Sequence, residues 1–298
     1  MKSPSNKISR ARPLLGTFVE IGIGAGEPVE AIDAAFDEIA LIQRLMSFHE
    51  ANSDVSRLNR APIGESVEID ALTYEVLSAA FSFSEESGGA FDVTVGARLM
   101  EAGFLPRFAG VESPDADSCY LDIAMLRNNR VRRRRRAIVD LGGIAKGYAV
   151  DRAIGVLRKC GVRDAIVNAG GDLRMFGSPR PVHIRHPEDA SKAFFVGMLA
   201  DVAVATSSGV YAQTNIGRAL DPVVDPRQRA LRNWNCGITV MAPNCMAADA
   251  LTKVVRLAPC GAAKMLTRHG GRALAANCRG IRVLRDAAGS PNWPAFVQ

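Results

Sequence analysis

Residues 138–151 could bind a phosphate, because a buried strand, a pair of glycines and the start of a helix follow one another there. Gly142 and Gly143 lack a Cβ atom, so the chain can turn sharply and a ligand can come close to the backbone. Lys146 lies on the first helical turn, where free N–H groups already favour an anion. Asp140 could accept a hydrogen bond from a hydroxyl or a ring N–H. An ordinary strand–turn–helix joint explains this local pattern equally well.

Other polar side chains follow small-residue turns at the ends of predicted strands. They are Asp92, Asp140, Asp172 and the pair Ser207-Ser208. Several such turns around one cleft predict a large polar ligand that carries phosphates. The acidic strand ends, with Asp249 on a later helix, favour a hard cation held by oxygen ligands. The segment around Lys146 matches neither the dinucleotide-binding Gly-x-Gly-x-x-Gly pattern nor a P-loop.

Three common kinds of site are not indicated by the sequence. The four histidines lie in scattered contexts, and no Ser-His-Asp order or nucleophile elbow is present, which argues against a histidine metal site and a serine hydrolase. None of the six cysteines forms a Cys-x-x-Cys pair, which argues against a zinc site. Reduced, mostly buried thiols in a cytoplasmic protein are expected instead.

The composition is that of a soluble globular protein, with 298 residues, 48% of them hydrophobic and 23% charged. The net charge of +6 is almost accounted for by the five arginines at 132–136, so a basic surface for nucleic acid is not required. Nucleic-acid binding is therefore only a distant alternative. The first residues show no apolar signal segment and no lipoprotein cysteine, and no membrane span is found, so a cytoplasmic location is expected.

The periodicity of apolar residues predicts an α+β fold. Helices are expected at 28–48, 70–87 (capped by Asp70), 148–160, 246–257 and 260–269, between many short strands. Hairpin-like pairs within 120–139 and 182–206 argue against a doubly wound parallel sheet. Residues 1–12 are predicted to be a disordered basic arm, and residues 13–298 a single domain. The arginines at 132–136 are interpreted as a solvated edge strand guarded by charge.

Several of these segments together carry a resemblance that extends from about Leu14 to Gly270. The sequence resembles the ApbE family, the FAD:protein FMN transferases. The segments, in chain order, are Leu15-Gly16-Thr17-Phe18, Ser53–Asn59, Gly89–Val95, Asp140–Asp151, Asn168–Asp172, Val204–Gly209, Asp225-Pro226-Arg227 and Ala247–Leu251.

The resemblance implies a T-fold-like architecture and a transferase that binds FAD and a divalent cation, usually magnesium. Such enzymes attach FMN to a Thr or Ser hydroxyl of an acceptor flavoprotein and release AMP. The residues that would hold or contact the flavin nucleotide are Leu15, His49, Ala90, Phe91, Asp92, Asp140, Lys146 and Val223. The cation would be held by the Gly143 carbonyl and the Asp249 carboxylate, with Thr252 beside it.

Three positions depart from the family pattern. Lys253 stands where the family commonly has Thr, four residues after the metal-binding Asp; an ammonium cannot bind a cation but could take part of its place. Pro222 stands where the family has the His proposed as base, so Asp225 or Asp221 is the candidate base. His49 stands where an aromatic residue, often Tyr, is common, and Leu15 where Met is usual.

Asp249 and Asp225 are thus the predicted catalytic residues of a flavin transferase. Two alternatives stay open, because of the departures at Lys253 and Pro222. The chain could bind FAD without transferring FMN, or it could be a metal-dependent FAD pyrophosphatase in which water replaces the acceptor hydroxyl.

Overall fold

The computed structural model describes residues 7–107, 114–115, 117–186, 189, 191–208, 223–228, 230–231 and 236–284. Its helices are α1 (Glu30–Met46), α2 (Asp54–Arg60), α3 (Ala71–Glu86), α4 (Gly96–Glu101), α5 (Ala145–Lys159), α6 (Cys245–Leu257) and α7 (Pro259–Arg268). A short 3₁₀ turn covers Tyr120–Asp122. None of the described helices is both long and apolar enough to cross a membrane.

The described strands are β1 (Ile8–Leu14), β2 (Thr17–Ile23), β3 (Ser66–Glu68), β4 (Ile123–Leu126), β5 (Arg130–Arg133), β6 (Ala165–Ala169), β7 (Asp172–Phe176), β8 (Arg180–Arg185), β9 (Ala193–Leu199), β10 (Val202–Ser207), β11 (Val224–Asp225), β12 (Ala230–Leu231), β13 (Gly237–Ala242), β14 (Arg272–Asn277) and β15 (Gly280–Leu284).

Eight strands form the main sheet, in the order β1-β2-β6-β7-β10-β13-β14-β15. All the ladders between neighbouring strands of this sheet are antiparallel. The remaining described strands form the hairpins β8-β9 and β11-β12 and the three-stranded sheet β3-β5-β4. Antiparallel sheets combined with packed helices confirm the prediction of an α+β fold.

One face of the main sheet carries the large hydrophobic core. Helix α1 turns Ile32, Phe36 and Ile39 to this core at helical spacing, and each is at most 1% exposed. Helices α5 and α6 pack against each other and against the central strands, which buries Leu251 and Val254. The other face carries a smaller core that is covered by the β8-β9 hairpin.

The N-terminal prediction is wrong for residues 8–12. They belong to β1, which pairs antiparallel with β2 along its whole length. Arg10 and Arg12 both form ion pairs with Asp33 on α1. The sequence hid this strand because its middle residues are exposed and give no apolar alternation. Residues 1–6 lie outside the described residues.

The interpretation of the arginine run as an edge strand is also wrong. Strand β5 lies between β3 and β4, so both of its edges are paired. Arg133 is buried, and its guanidinium donates to the carbonyls of Ala137 (2.9 Å) and Ala61 (2.5 Å). The neighbour β3 lies some sixty residues earlier in the chain, where local alternation cannot indicate it. The cysteines differ from expectation as well: all six are free thiols, but only Cys245 is buried.

A buried asparagine holds the strand-like segment that leads to the glycine pair. The Asn59 side chain donates to the Val139 carbonyl and accepts from the Val139 N–H, both at 2.8 Å. Asn59 is fully buried, and Val139 is too. The amide thus satisfies two backbone groups that no neighbouring strand reaches.

We expect Asn59→Ala to lower the free energy of unfolding by about 2–4 kcal/mol, because it leaves two buried backbone groups without partners. Urea denaturation followed by circular dichroism measures this loss. Asn59→Asp tests the donated hydrogen bond separately. Its carboxylate can still accept from the Val139 N–H but repels the Val139 carbonyl, so this variant should be destabilised too. Wild-type stability in Asn59→Ala would show that the segment is held by packing alone.

Candidate active site

A cavity of about 810 Å³ opens beside the first turn of α5. It is lined by all eight residues predicted to contact the flavin nucleotide, Leu15, His49, Ala90, Phe91, Asp92, Asp140, Lys146 and Val223, and by Gly143 and Asp249. These residues come from six separate segments of the chain, so only the tertiary fold brings them together. The cavity is of the size that proteins use for cofactors.

The first turns of α5 and α6 meet at one wall of the cavity. A Cβ atom on Gly147 would lie 2.3 Å from the Cys245 carbonyl oxygen, so only glycine permits this approach. Asp151 on α5 accepts the N–H groups of Cys245 and Met246, both at 2.8 Å, and thereby caps the start of α6. The Gly147 N–H also donates to Asp249 (3.3 Å). These contacts place Asp249 next to the glycine turn.

Two lysines face the cavity from these helices, and each is paired with a buried carboxylate. Lys146 Nζ lies 2.9 Å from Asp172 Oδ2, and Asp172 is 2% exposed. Lys253 Nζ forms an ion pair with Asp249 Oδ1, and Asp249 is 1% exposed. The attraction of Asp172 raises the pKa of Lys146 further above its ordinary value, so this lysine is charged at neutral pH.

Burial raises the pKa of two more carboxylates in the wall. Asp92 is held by the N–H and hydroxyl of Thr94 (2.8 and 2.7 Å) and by the Tyr120 N–H (2.9 Å), which partly oppose the rise in its pKa. Burial likewise raises the pKa of Asp140, against the opposing effects of a backbone N–H at Gly142 and of the nearby His49 and Lys253 side chains. Both carboxyl groups line the cavity, and that of Asp92 already accepts three hydrogen bonds from within the wall.

Part of the cavity lining is apolar and suits a flat ring. Its side chains are Leu15, Met46, Phe91, Leu99, Phe104 and Leu105. Leu15 has a positive φ of 55°, which a leucine rarely adopts, and its N–H donates to Gln43 Oε1 at 2.6 Å. This bond fixes the β1–β2 turn at the rim of the cavity. A lining that combines apolar side chains with two lysines matches a ligand that is part aromatic and part anionic.

The structure does not bring every predicted residue to the cavity. Thr252 is buried, and its hydroxyl donates to the Asp249 carbonyl (2.7 Å) within the helix. Asp225 is 2% exposed and accepts from the Arg227 N–H and Nε, whereas its neighbours Val224 and Pro226 line the cavity. Pro222 and Asp221 lie outside the described residues. The role of Asp225 as a base therefore stays a prediction.

Some residues that build the site were not singled out from the sequence. Asp172 was noted only as a polar strand end, although it is the partner of Lys146. Gln43 lies within the helix predicted at 28–48, and nothing in the sequence indicates that its side chain fixes Leu15. The signal for Asp172 was present, because it ends one of the resembling segments; Gln43 left no signal, since an amide on a helix is usually solvated.

Family comparison agrees with this arrangement. Residues 15–276 match the family model described as the ApbE family. The chain belongs to the ApbE family. The match contains every segment that forms the cavity, from the β1–β2 turn at Leu15 to the Asp249 helix.

Similar proteins and solved structures are distant in sequence. The FAD:protein FMN transferase of Treponema pallidum (strain Nichols) is 28% identical over 279 residues, covering 82% of this chain and 76% of the relative. The protein of the same name from Vibrio cholerae is 26% identical over 274 residues, covering 84% and 81%. The solved structure of the flavin transferase ApbE from Vibrio cholerae has a TM-score of 0.80 at 21% identity and covers 97% and 99%, which shows the shared fold.

We expect the buried carboxyl of Asp172 to make stability depend on pH. Burial and the nearby Asp249 carboxylate raise the pKa of Asp172 to about 6, against the pull of Lys146. The folded state then keeps a proton that the unfolded chain releases near pH 4, so the free energy of unfolding falls as pH rises from about 4 to 6. Asp172→Asn should remove this part of the fall, about 3 kcal/mol at most.

Urea denaturation at four pH values between 4 and 7 measures this slope. Asp201→Asn is the matched control, because Asp201 is exposed and its positive φ of 49° suits asparagine. Its slope should equal that of the wild type. If Asp172→Asn also keeps the wild-type slope, the raised pKa of Asp172 is refuted.

Proposed function

We propose that this chain is an FAD:protein FMN transferase, which attaches FMN from FAD to a Thr or Ser hydroxyl of an acceptor flavoprotein and releases AMP. The observation that carries the proposal is the single cavity that joins an apolar wall to the Lys146 ammonium and the first turn of α5. The isoalloxazine ring of FAD needs the apolar surface, and the diphosphate needs the positive charge at Lys146 and the start of α5. The names of the ApbE relatives support the same activity.

The residues then have distinct tasks. Lys146 and the positive end of the α5 helix dipole attract the diphosphate oxygens. Asp140 accepts a hydrogen bond from the ring system, which Phe91 and Leu15 contact through apolar surface. Gly143 leaves room for the ligand beside the backbone. Binding in this way fixes the FMN phosphorus where an acceptor hydroxyl can approach it.

The transfer itself exchanges the phosphoanhydride bond of FAD for a phosphate ester. The acceptor oxygen forms a bond to the FMN phosphorus, and the bond from that phosphorus to the bridging oxygen breaks. AMP leaves with the bridging oxygen, and the hydroxyl proton passes to a base. Asp225 is the candidate base; to act, its carboxylate must exchange the Arg227 ion pair for the acceptor hydroxyl.

The magnesium ion that the resemblance implies does not fit the residues of this chain. Thr252 turns its hydroxyl into the helix, and Lys253 pairs with Asp249. Among the residues that the structure describes, no three His, Cys, Asp or Glu side chains come together to hold a metal. No step of the proposed reaction is therefore assigned to a cation.

Chromatographic analysis of AMP and FMN tests the proposed activity. Purified protein is incubated with FAD, with and without an acceptor flavoprotein domain. We expect AMP only with acceptor, together with an acceptor mass increase that equals FMN. AMP with free FMN in the absence of acceptor would instead identify a pyrophosphatase, and intact FAD in every mixture would leave a flavin-binding protein without transfer.

We expect Lys146→Met to weaken FAD binding about 10- to 100-fold, because the diphosphate loses a charge-assisted hydrogen bond. Quenching of flavin fluorescence measures the dissociation constant. Lys159→Met is the matched control, since Lys159 is exposed at the far end of the same helix, and it should bind FAD as the wild type does. Equal binding by both variants would remove Lys146 from the phosphate site.

A further inference from the structure

The Lys253 side chain lies against both residues, Gly143 and Asp249, that the resemblance assigns to a metal ion. It pairs with Asp249 Oδ1 and also donates to the Asp249 carbonyl at 3.1 Å. A Cβ atom on Gly143 would lie 3.5 Å from Lys253 Cε, so the lysine side chain passes directly over the glycine turn. The lysine stem thus passes the glycine turn and its ammonium is held by Asp249, so the side chain occupies space beside both residues.

The remaining metal ligand is turned away from this point. Thr252 is 1% exposed, and its hydroxyl donates to the Asp249 carbonyl inside α6. A divalent cation at Asp249 would have to displace a lysine that is itself only 19% exposed. Magnesium requires near-octahedral oxygen ligands, and a neighbouring ammonium repels it.

The ammonium can supply the positive charge that a cation would supply to the phosphate oxygens of a ligand. A lysine ammonium has three N–H donors, of which Asp249 takes two. The third is left for an oxygen in the cavity, on the same side as Lys146. Two lysines then face the diphosphate from neighbouring helices, and each is held in place by a buried carboxylate.

We propose that the Lys253 ammonium replaces the divalent cation, so that this chain binds the diphosphate of its ligand without a metal ion. The identity of that ligand as FAD rests on the proposed function. The exclusion of the metal does not, because it follows from the contacts of Lys253 alone. The proposal also explains how the Asp249 carboxyl group can be buried, since the Lys253 ammonium lies beside it.

Metal binding by the ligand-free protein tests the exclusion directly. Electron paramagnetic resonance measures free Mn²⁺ in the presence of wild-type protein or of Lys253→Thr, which removes the ammonium and supplies a hydroxyl oxygen. We expect the wild type to leave Mn²⁺ free, and the variant to bind it at least tenfold more tightly. Mg²⁺ should likewise raise the melting temperature of the variant but not of the wild type. Lys264→Thr, an exposed control on α7, should behave as the wild type does.

Titration of FAD into the protein, with EDTA or with Mg²⁺, tests the phosphate role. Wild-type affinity should change less than threefold between the two conditions, whereas Lys253→Thr should lose at least tenfold in EDTA and recover with Mg²⁺. Tight Mn²⁺ binding by the wild type, or FAD binding that EDTA abolishes, would overturn the proposal. These wild-type results decide it even if the variant fails to fold. Absence of FAD binding in all conditions would refute the proposed function instead, while the Mn²⁺ measurement would still decide the exclusion.

Discussion

The close contact between the first turns of α5 and α6 is the constraint on which the cavity depends. The two turns are about a hundred residues apart in the chain, yet the Gly147 N–H reaches the Asp249 carboxylate. Gly147 permits this approach because it has no Cβ, and Asp151 secures it by capping the start of α6. The glycine turn, Lys146 and Asp249 are thereby held on one rigid unit, which is how a site for a phosphate keeps its geometry without the ligand.

Charge compensation is the second organising feature. Asp172 and Asp249 are almost fully buried, and buried carboxylates are costly unless they are paired. Each is paired with a lysine whose ammonium also faces the cavity. The carboxylates hold the two lysines in place, and the lysines offset part of the cost of burying the carboxylates. In this arrangement the cation at α6 is part of the chain, so the site departs chemically from its family while keeping the family's fold.

Local patterns predicted five of the seven described α-helices, missed α2 and α4, and misjudged two strands. The apolar spacing of α1 and the Asp70 cap of α3 are both present in the structure, because such signals lie within one turn of the chain. Strand β1 has no apolar face, and the partner of β5 on one side is β3, far away in sequence. Pairing of this kind depends on distant segments, so charge and alternation within β5 suggested an exposed edge where the structure has a central strand.

The sequence by itself determined the class of fold and the family, and it identified ten residues that line one cavity. It could do so because these residues lie in short ordered segments that resemble those of the ApbE family. Only the tertiary structure decided that Thr252 and Asp225 lie outside the cavity lining, and that Lys253 covers Gly143 and Asp249. Those facts depend on where side chains point and on contacts between distant segments, which neither residue type nor spacing specifies.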